Sequence, residues 1–133
     1  LAEWLSGYTE YVKAGSVLHP SLASHPSHEM AKKYFRPGCF GSVFIFELNG
    51  EGEEAVARGK KFITALEMCA HLANVGDART LVIHPASTTH QQLNPAQQAA
   101  AGVKPAGVRV SVGYEDFDDI KADFERAFKV AFA

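Results

Sequence analysis

Val108-Arg109-Val110-Ser111-Val112-Gly113 is the stretch whose reading decides the fold. Its valines alternate with Arg109 and Ser111, and a period of two marks a strand with one apolar face. The valines therefore face a core, and Arg109 leaves through the opposite face. The run behind it, 116–131, repeats Phe117, Ile120, Phe124, Phe128 and Ala131 at helical spacing. Asp116 and Asp119 stand at its start, where a helix N-terminus favours negative charge. Strand and helix together cover one side of a sheet and leave one arginine on the uncovered side.

Outward from this pair, residues 42–48 read as a second strand, rich in β-branched and aromatic residues and flanked by turn residues. After the turn at 49–52, residues 53–68 read as a long amphipathic helix with Val56, Phe62, Ile63, Leu66 and Cys69 on its apolar stripe. Gly59 lies on or near that stripe. A glycine there costs roughly 1 kcal/mol against alanine, so close packing against another element is expected at this point. Residues 80–83 form a short strand ended by His84-Pro85. A helix over 95–101 begins at Pro95, with Asn94 or Ser87 as its cap and Gly102 as its stop. In front of all this, residues 1–6 read as a helix tail stopped by Gly7, and Val12, Val17 and Leu18 as a weak strand broken by Gly15. His19-Pro20 and His25-Pro26 bracket a loop. Ser27 caps a short helix, 28–35, with Met30, Ala31, Tyr34 and Phe35 as its apolar side. The order predicts an α/β protein of the two-layer α+β kind, a small mixed or antiparallel sheet with helices on one face.

The 133 residues carry a formal charge of −2, with 47% hydrophobic and 21% charged residues. This suits one domain and gives no reason to expect nucleic acid or an anionic membrane as partner. No apolar run approaches the roughly 20 residues needed to span a bilayer. Two cysteines, Cys39 and Cys69, are no disulfide framework, which favours a reducing, cytoplasmic location. There is no basic segment followed by an apolar one of the kind that opens a signal peptide. The chain begins at Leu1 and not at methionine, so it is expected to be a piece of something longer.

His19, His25 and His28 lie close together, but their spacing is no zinc signature and no metal site is expected. His84 and His90 flank Ser87, Thr88 and Thr89 in a polar loop after a strand; a binding loop and a bare turn fit these residues equally. No nucleophile elbow, glycine-rich phosphate loop or Cys-x-x-Cys pair is present. Arg109 is the sharpest candidate. It is either a surface cation or a fork for a carboxylate, and on residues alone the solvated head is the commoner case.

Other stretches shift that balance. Leu81-Val82-Ile83-His84-Pro85-Ala86-Ser87-Thr88-Thr89-His90, Ala101-Gly102-Val103 and Val108-Arg109-Val110-Ser111-Val112-Gly113-Tyr114-Glu115-Asp116 resemble the C-terminal part of the Cys/Met-metabolism family of pyridoxal-phosphate enzymes. His19-Pro20-Ser21-Leu22-Ala23-Ser24-His25-Pro26, Ala31-Lys32-Lys33-Tyr34 and His71-Leu72-Ala73-Asn74-Val75-Gly76-Asp77-Ala78 resemble its O-acetylhomoserine sulfhydrylase subgroup. The resemblance implies that residues 1–133 are the C-terminal, substrate-side domain of an aspartate-aminotransferase-type enzyme. Arg109 would bind the α-carboxylate of an amino-acid substrate. Asn74 would replace a serine that other members carry near that position, and Thr88 would be a further substrate contact. The catalytic lysine of the family follows a Ser-x-Thr-Lys pattern in the N-terminal domain. This chain has no such pattern, so it would hold no catalytic or cofactor-binding residue and would be inactive alone. The intact protein would use pyridoxal phosphate to replace the γ-substituent of O-acetylhomoserine with sulfide or a thiol, as a homotetramer. Cystathionine γ-synthase or lyase and methionine γ-lyase are same-family alternatives. A free-standing binding module without cofactor is the alternative of another class.

Overall fold

The computed structural model describes residues 1–133. The alternating stretch is strand β3 (Gly107–Ser111), and it takes the centre of a three-stranded antiparallel sheet. β1 (Val43–Glu47) pairs with one edge, placing Ile45 opposite Arg109 and Phe46 opposite Val108. β2 (Leu81–Ile83) pairs with the other, placing Ile83 opposite Arg109 and Val82 opposite Val110. Side chains directly opposite each other share a face. One face therefore carries Phe44, Phe46, Val82, Val108 and Val110, all at most 4% exposed. The other carries Val43, Ile45, Arg109, Ser111, Leu81 and Ile83.

Two helices cover the first face. α3 (Gly52–Ala65) supplies Ala55, Phe62 and Ile63, and α5 (Phe117–Phe132) supplies Ile120, Phe124, Ala127, Phe128 and Ala131. The phenylalanines interlock: Phe62 and Phe124 meet edge to face with centroids 5.4 Å apart, and Phe46 meets Phe62 in the same way at 6.0 Å. Such pairs add about 0.5–1.5 kcal/mol each beyond area burial. α1 (Ala2–Gly7) closes one end of this core with Leu5, and Trp4, Tyr8 and Tyr11 pack around Phe128. The weak strand around Val12 and Leu18 is reduced to single bridges, Val12 to Leu48 and Leu18 to Ile45. The two-layer architecture expected from the alternation is thus the observed one, and its sheet is antiparallel.

Several local expectations are corrected. The helix expected over 53–68 ends at Ala65, and Leu66 turns extended. The cause is Asp123 of α5. Its carboxylate accepts from the amides of Glu67 (2.9 Å), Met68 (3.1 Å) and Cys69 (2.9 Å), so these N–H groups serve a side chain instead of helix carbonyls. Val56 is only half-buried, and Ala55 and Gly59 take its place on the stripe. Phe117 is 45% exposed, at the first residue of α5, and the buried stripe begins only at Ile120. In α2 (His28–Tyr34) only Ala31 is buried, while Met30, Tyr34 and Phe35 remain exposed. α4 (Pro95–Ala100) carries the expected Asn94 cap, with Gln97 Oε1 accepting from the Asn94 amide to complete a capping box.

Gly59 meets the expected close neighbour. A methyl group there would lie 2.4 Å from the His84 ring. His84 is fully buried, and its Nε2 bonds the Pro105 carbonyl at 2.7 Å while its Nδ1 bonds Ser87 Oγ at 2.7 Å. A carbonyl only accepts, so Nε2 carries the proton and Nδ1 accepts from the serine. Burial pushes the His84 pKa down, against the Pro105 bond, which keeps the ring neutral. His84 therefore locks the end of β2 to the segment entering β3, over a position in the middle of α3 that has no side chain.

Candidate functional site

Arg109 sits at the middle of the central strand on the face that no helix covers, with Ile45 on one side and Ile83 on the other. Both ladders fix its backbone. Its side chain is half-buried, and none of the seven ion pairs of the chain includes it. Of the other arginines, Arg58, Arg79 and Arg126 each reach an acid, and Arg36 lies unpaired but exposed on a turn away from the sheet strands. Arg109 is thus a planar fork flanked by two isoleucines, with no protein anion engaged.

Ser111, two residues on and on the same face, is 2% exposed and accepts from the Gly76 amide at 3.3 Å. That bond draws the 74–76 segment to the Arg109 side of the sheet. Asn74 is exposed, and its Oδ1 accepts from the Val75 amide at 2.9 Å. Its NH2 group has no protein acceptor, so it is free to donate to a ligand. Thr88 stands apart from this pair. It donates its hydroxyl proton to the His84 carbonyl at 2.8 Å and lines a cleft with Lys60, Ile63 and Thr64 of α3, on the covered side.

The three clustered histidines each brace their loop. His19 bonds Ser21 and the Gly41 carbonyl, His25 accepts from the Ser27 amide, and His28 bonds the Pro20 carbonyl. They do not converge.

Sequence reading missed two acids that tie distant segments together, Glu115 next to the Arg109 strand and Asp123 on α5. Thr80 is completely buried, and Glu115 accepts from its amide at 2.6 Å and from its hydroxyl at 2.7 Å. Burial works to raise the Glu115 pKa, but the Thr80 bonds outweigh it and the net shift is downward. A signal existed, since Glu115 continues the alternate phase of 109, 111 and 113. Asp123 also left a signal, as an acid one residue before Phe124 on an otherwise apolar helix face.

A cofactor-bearing lysine would need to be desolvated to react as a free amine at neutral pH. None of the eight lysines is buried, and Lys13 is paired with Glu47 at 3.6 Å. No lysine of this chain is therefore placed to react as a desolvated amine.

The fold matches yeast cystathionine gamma-lyase with a TM-score of 0.87 and 30% identity, over 99% of this chain and 32% of that one. It matches O-acetylhomoserine (thiol)-lyase of Campylobacter jejuni with a TM-score of 0.79 and 32% identity, over 96% of this chain and 30% of that one, which carries a pyridoxyl-lysine. The architecture is therefore one found within pyridoxal-phosphate enzymes of the aspartate-aminotransferase type. The profile of the Cys/Met metabolism PLP-dependent enzymes matches residues 1–129, and the chain belongs to that family. Among curated relatives, O-acetyl-L-homoserine sulfhydrylase 1 of Thermus thermophilus is 50% identical over 127 residues, 96% of this chain and 28% of that protein. The homocysteine synthase of Schizosaccharomyces pombe is 46% identical over 128 residues, 96% of this chain and 29% of that protein. The chain thus spans under a third of the length of these relatives.

Proposed function

We propose that this chain is the C-terminal, substrate-side domain of an O-acetylhomoserine sulfhydrylase, which makes homocysteine or methionine from O-acetylhomoserine and sulfide or a thiol. The observation that carries this reading is Arg109, unpaired, on the open face of the central strand. Its guanidinium presents two parallel N–H donors to the two oxygens of an α-carboxylate. Ile45 and Ile83 beside it reduce the water that would compete, and a pair in lower dielectric is stronger. Asn74 donates to the same carboxylate through its free NH2 group. Thr88 supports the reading least, because its proton is already given to His84. The contribution to rate is positional: a substrate held at one end presents its reacting carbon in a fixed place.

The same reading places the cofactor and its lysine in an N-terminal domain outside this chain, on the side of the sheet that Arg109 faces. It makes the intact protein a cytoplasmic homo-oligomer, a tetramer by family resemblance, and the isolated chain inactive. No helix of the chain is long and apolar enough to cross a membrane.

A second reaction within the family, cystathionine synthesis or cleavage, is favoured by the higher TM-score to the yeast lyase. Sequence argues the other way, with 50% identity to the Thermus sulfhydrylase against 30% to the lyase. Backbone shape is shared across the family, so identity is the better discriminator of reaction. The test is an assay of the full-length protein with O-acetyl-L-homoserine plus sulfide, and separately with cystathionine. Homocysteine formation in the first and little turnover in the second is expected. The opposite ranking would move the protein to the second reading.

A further inference from the structure

Residues 109, 111, 113 and 115 occupy alternate positions across the end of β3 and the turn into α5. The last three all bind one segment, 76–80. Ser111 Oγ accepts from the Gly76 amide at 3.3 Å. The Gly113 amide donates to Thr80 Oγ1 at 3.0 Å, and the Tyr114 amide donates to the Ala78 carbonyl at 2.9 Å. Glu115 takes both donors of Thr80. Gly113 is where the two backbones touch: a Cβ there would stand 2.3 Å from the Ala78 carbonyl oxygen and 2.6 Å from a Glu115 carboxylate oxygen. The ladder at Leu81 and Ser111 already anchors the chain beyond Thr80. The additional bonds hold only the residues that precede it, and those include the exposed Asn74 segment beside the Arg109 face.

We propose that Glu115 is a positioning residue for carboxylate recognition: through Thr80 it sets where the 74–79 segment stands relative to Arg109. The inference rests on the Arg109 reading of the site. Two donors on one residue call for two acceptor oxygens with no proton between them. A carboxylate provides these, whereas a carboxamide turns an NH2 group against a donor. Thr80 is wholly buried, so neither donor can turn to water instead.

The test uses the full-length protein and four variants, Glu115→Gln, Thr80→Val, Thr80→Ser and Arg109→Lys. KM for O-acetyl-L-homoserine, kcat, Tm and amide hydrogen exchange across 74–80 are measured for each. Glu115→Gln is expected to raise KM about 5- to 20-fold, the scale of one or two lost hydrogen bonds in a buried site. Its kcat should stay within about twofold, and exchange across 74–80 should quicken. Thr80→Val should behave alike, and Thr80→Ser, which keeps the hydroxyl, should restore KM. These results would support the proposal. A KM within twofold of wild type in Glu115→Gln and Thr80→Val, whatever happens to Tm, overturns it. If Glu115→Gln does not fold, the Thr80 pair decides alone by the same criterion. Normal kinetics in Arg109→Lys with a raised KM in Glu115→Gln would remove Arg109 from the site while upholding the control of the 74–79 segment by Glu115.

Discussion

Replacing Asp123 by asparagine probes how the end of α3 is tied to α5. The Asp123 carboxylate is 3% exposed and accepts three backbone N–H bonds, from Glu67 on one oxygen and from Met68 and Cys69 on the other. Arg126 bonds the first oxygen and reaches back to the Ala65 carbonyl at 3.2 Å. An asparagine keeps its oxygen where Met68 and Cys69 need it. Its NH2 group then faces the Glu67 amide and Arg126, two donors against a donor. Hydrogen bonds to a charged group are worth about 1.5–3 kcal/mol each, and breaking a buried pair costs about 3–5 kcal/mol. Arg126 is 41% exposed and can turn to water, so the lower end applies: we expect a loss of about 3 kcal/mol. That is a large part of the roughly 5–15 kcal/mol that holds a domain together. Urea unfolding at pH 7 measures it. The pH dependence gives a second reading. Burial works to raise the Asp123 pKa, but the bonds from Cys69, Glu67 and Met68 together outweigh it, and the folded pKa lies below the ordinary value. Stability from this group is therefore complete above the unfolded pKa near 4 and is lost as pH falls through the lower folded value. Asp123→Asn should flatten that part of the acid limb. A variant within 1 kcal/mol of wild type, with an unchanged acid limb, would refute the reasoning.

Arg109→Lys in the full-length protein should lower kcat/KM for O-acetylhomoserine by about 10- to 100-fold, because charge remains and the fork is lost. Its Tm should stay within a few degrees of wild type; unfolding would instead make Arg109 structural. Gly59→Ala should destabilise by about 1–3 kcal/mol, since its methyl would lie 2.4 Å from the pinned His84 ring, and a neutral result in chemical denaturation would contradict the His84 lock. Mixing the isolated chain with pyridoxal phosphate and reducing with borohydride should leave no stoichiometric label on one lysine; a single defined site in the peptide map would count against the placement of the cofactor elsewhere. The isolated chain should self-associate through its uncovered face, where Leu18, Ile45, Leu72 and Val75 are 37–59% exposed, and a monomer by sedimentation at high concentration would contradict this.

The periodicity of the sequence alone determined the layers. Alternation at 108–112 and helical spacing at 120–131 each report which side chains meet a core, and the burial of apolar surface drives both. Val108, Val110, Ile120, Phe124 and Phe128 all fell on the covered side, and Arg109 on the other. The caps at Asn94 and Asp116 were legible for the same local reason, because a cap is satisfied within three residues of itself. What the sequence could not show are the bonds made across long separations. Asp123 meets Glu67 56 residues away, Glu115 meets Thr80 35 away, and His84 meets Pro105 21 away. Each is a polar group that burial alone would disfavour and that only a partner brought in by the fold can satisfy. Local patterning has no access to that partner. The helix end at Ala65, the identity of the neighbour that Gly59 makes room for and the tie between Gly76 and Ser111 were therefore decided by tertiary structure.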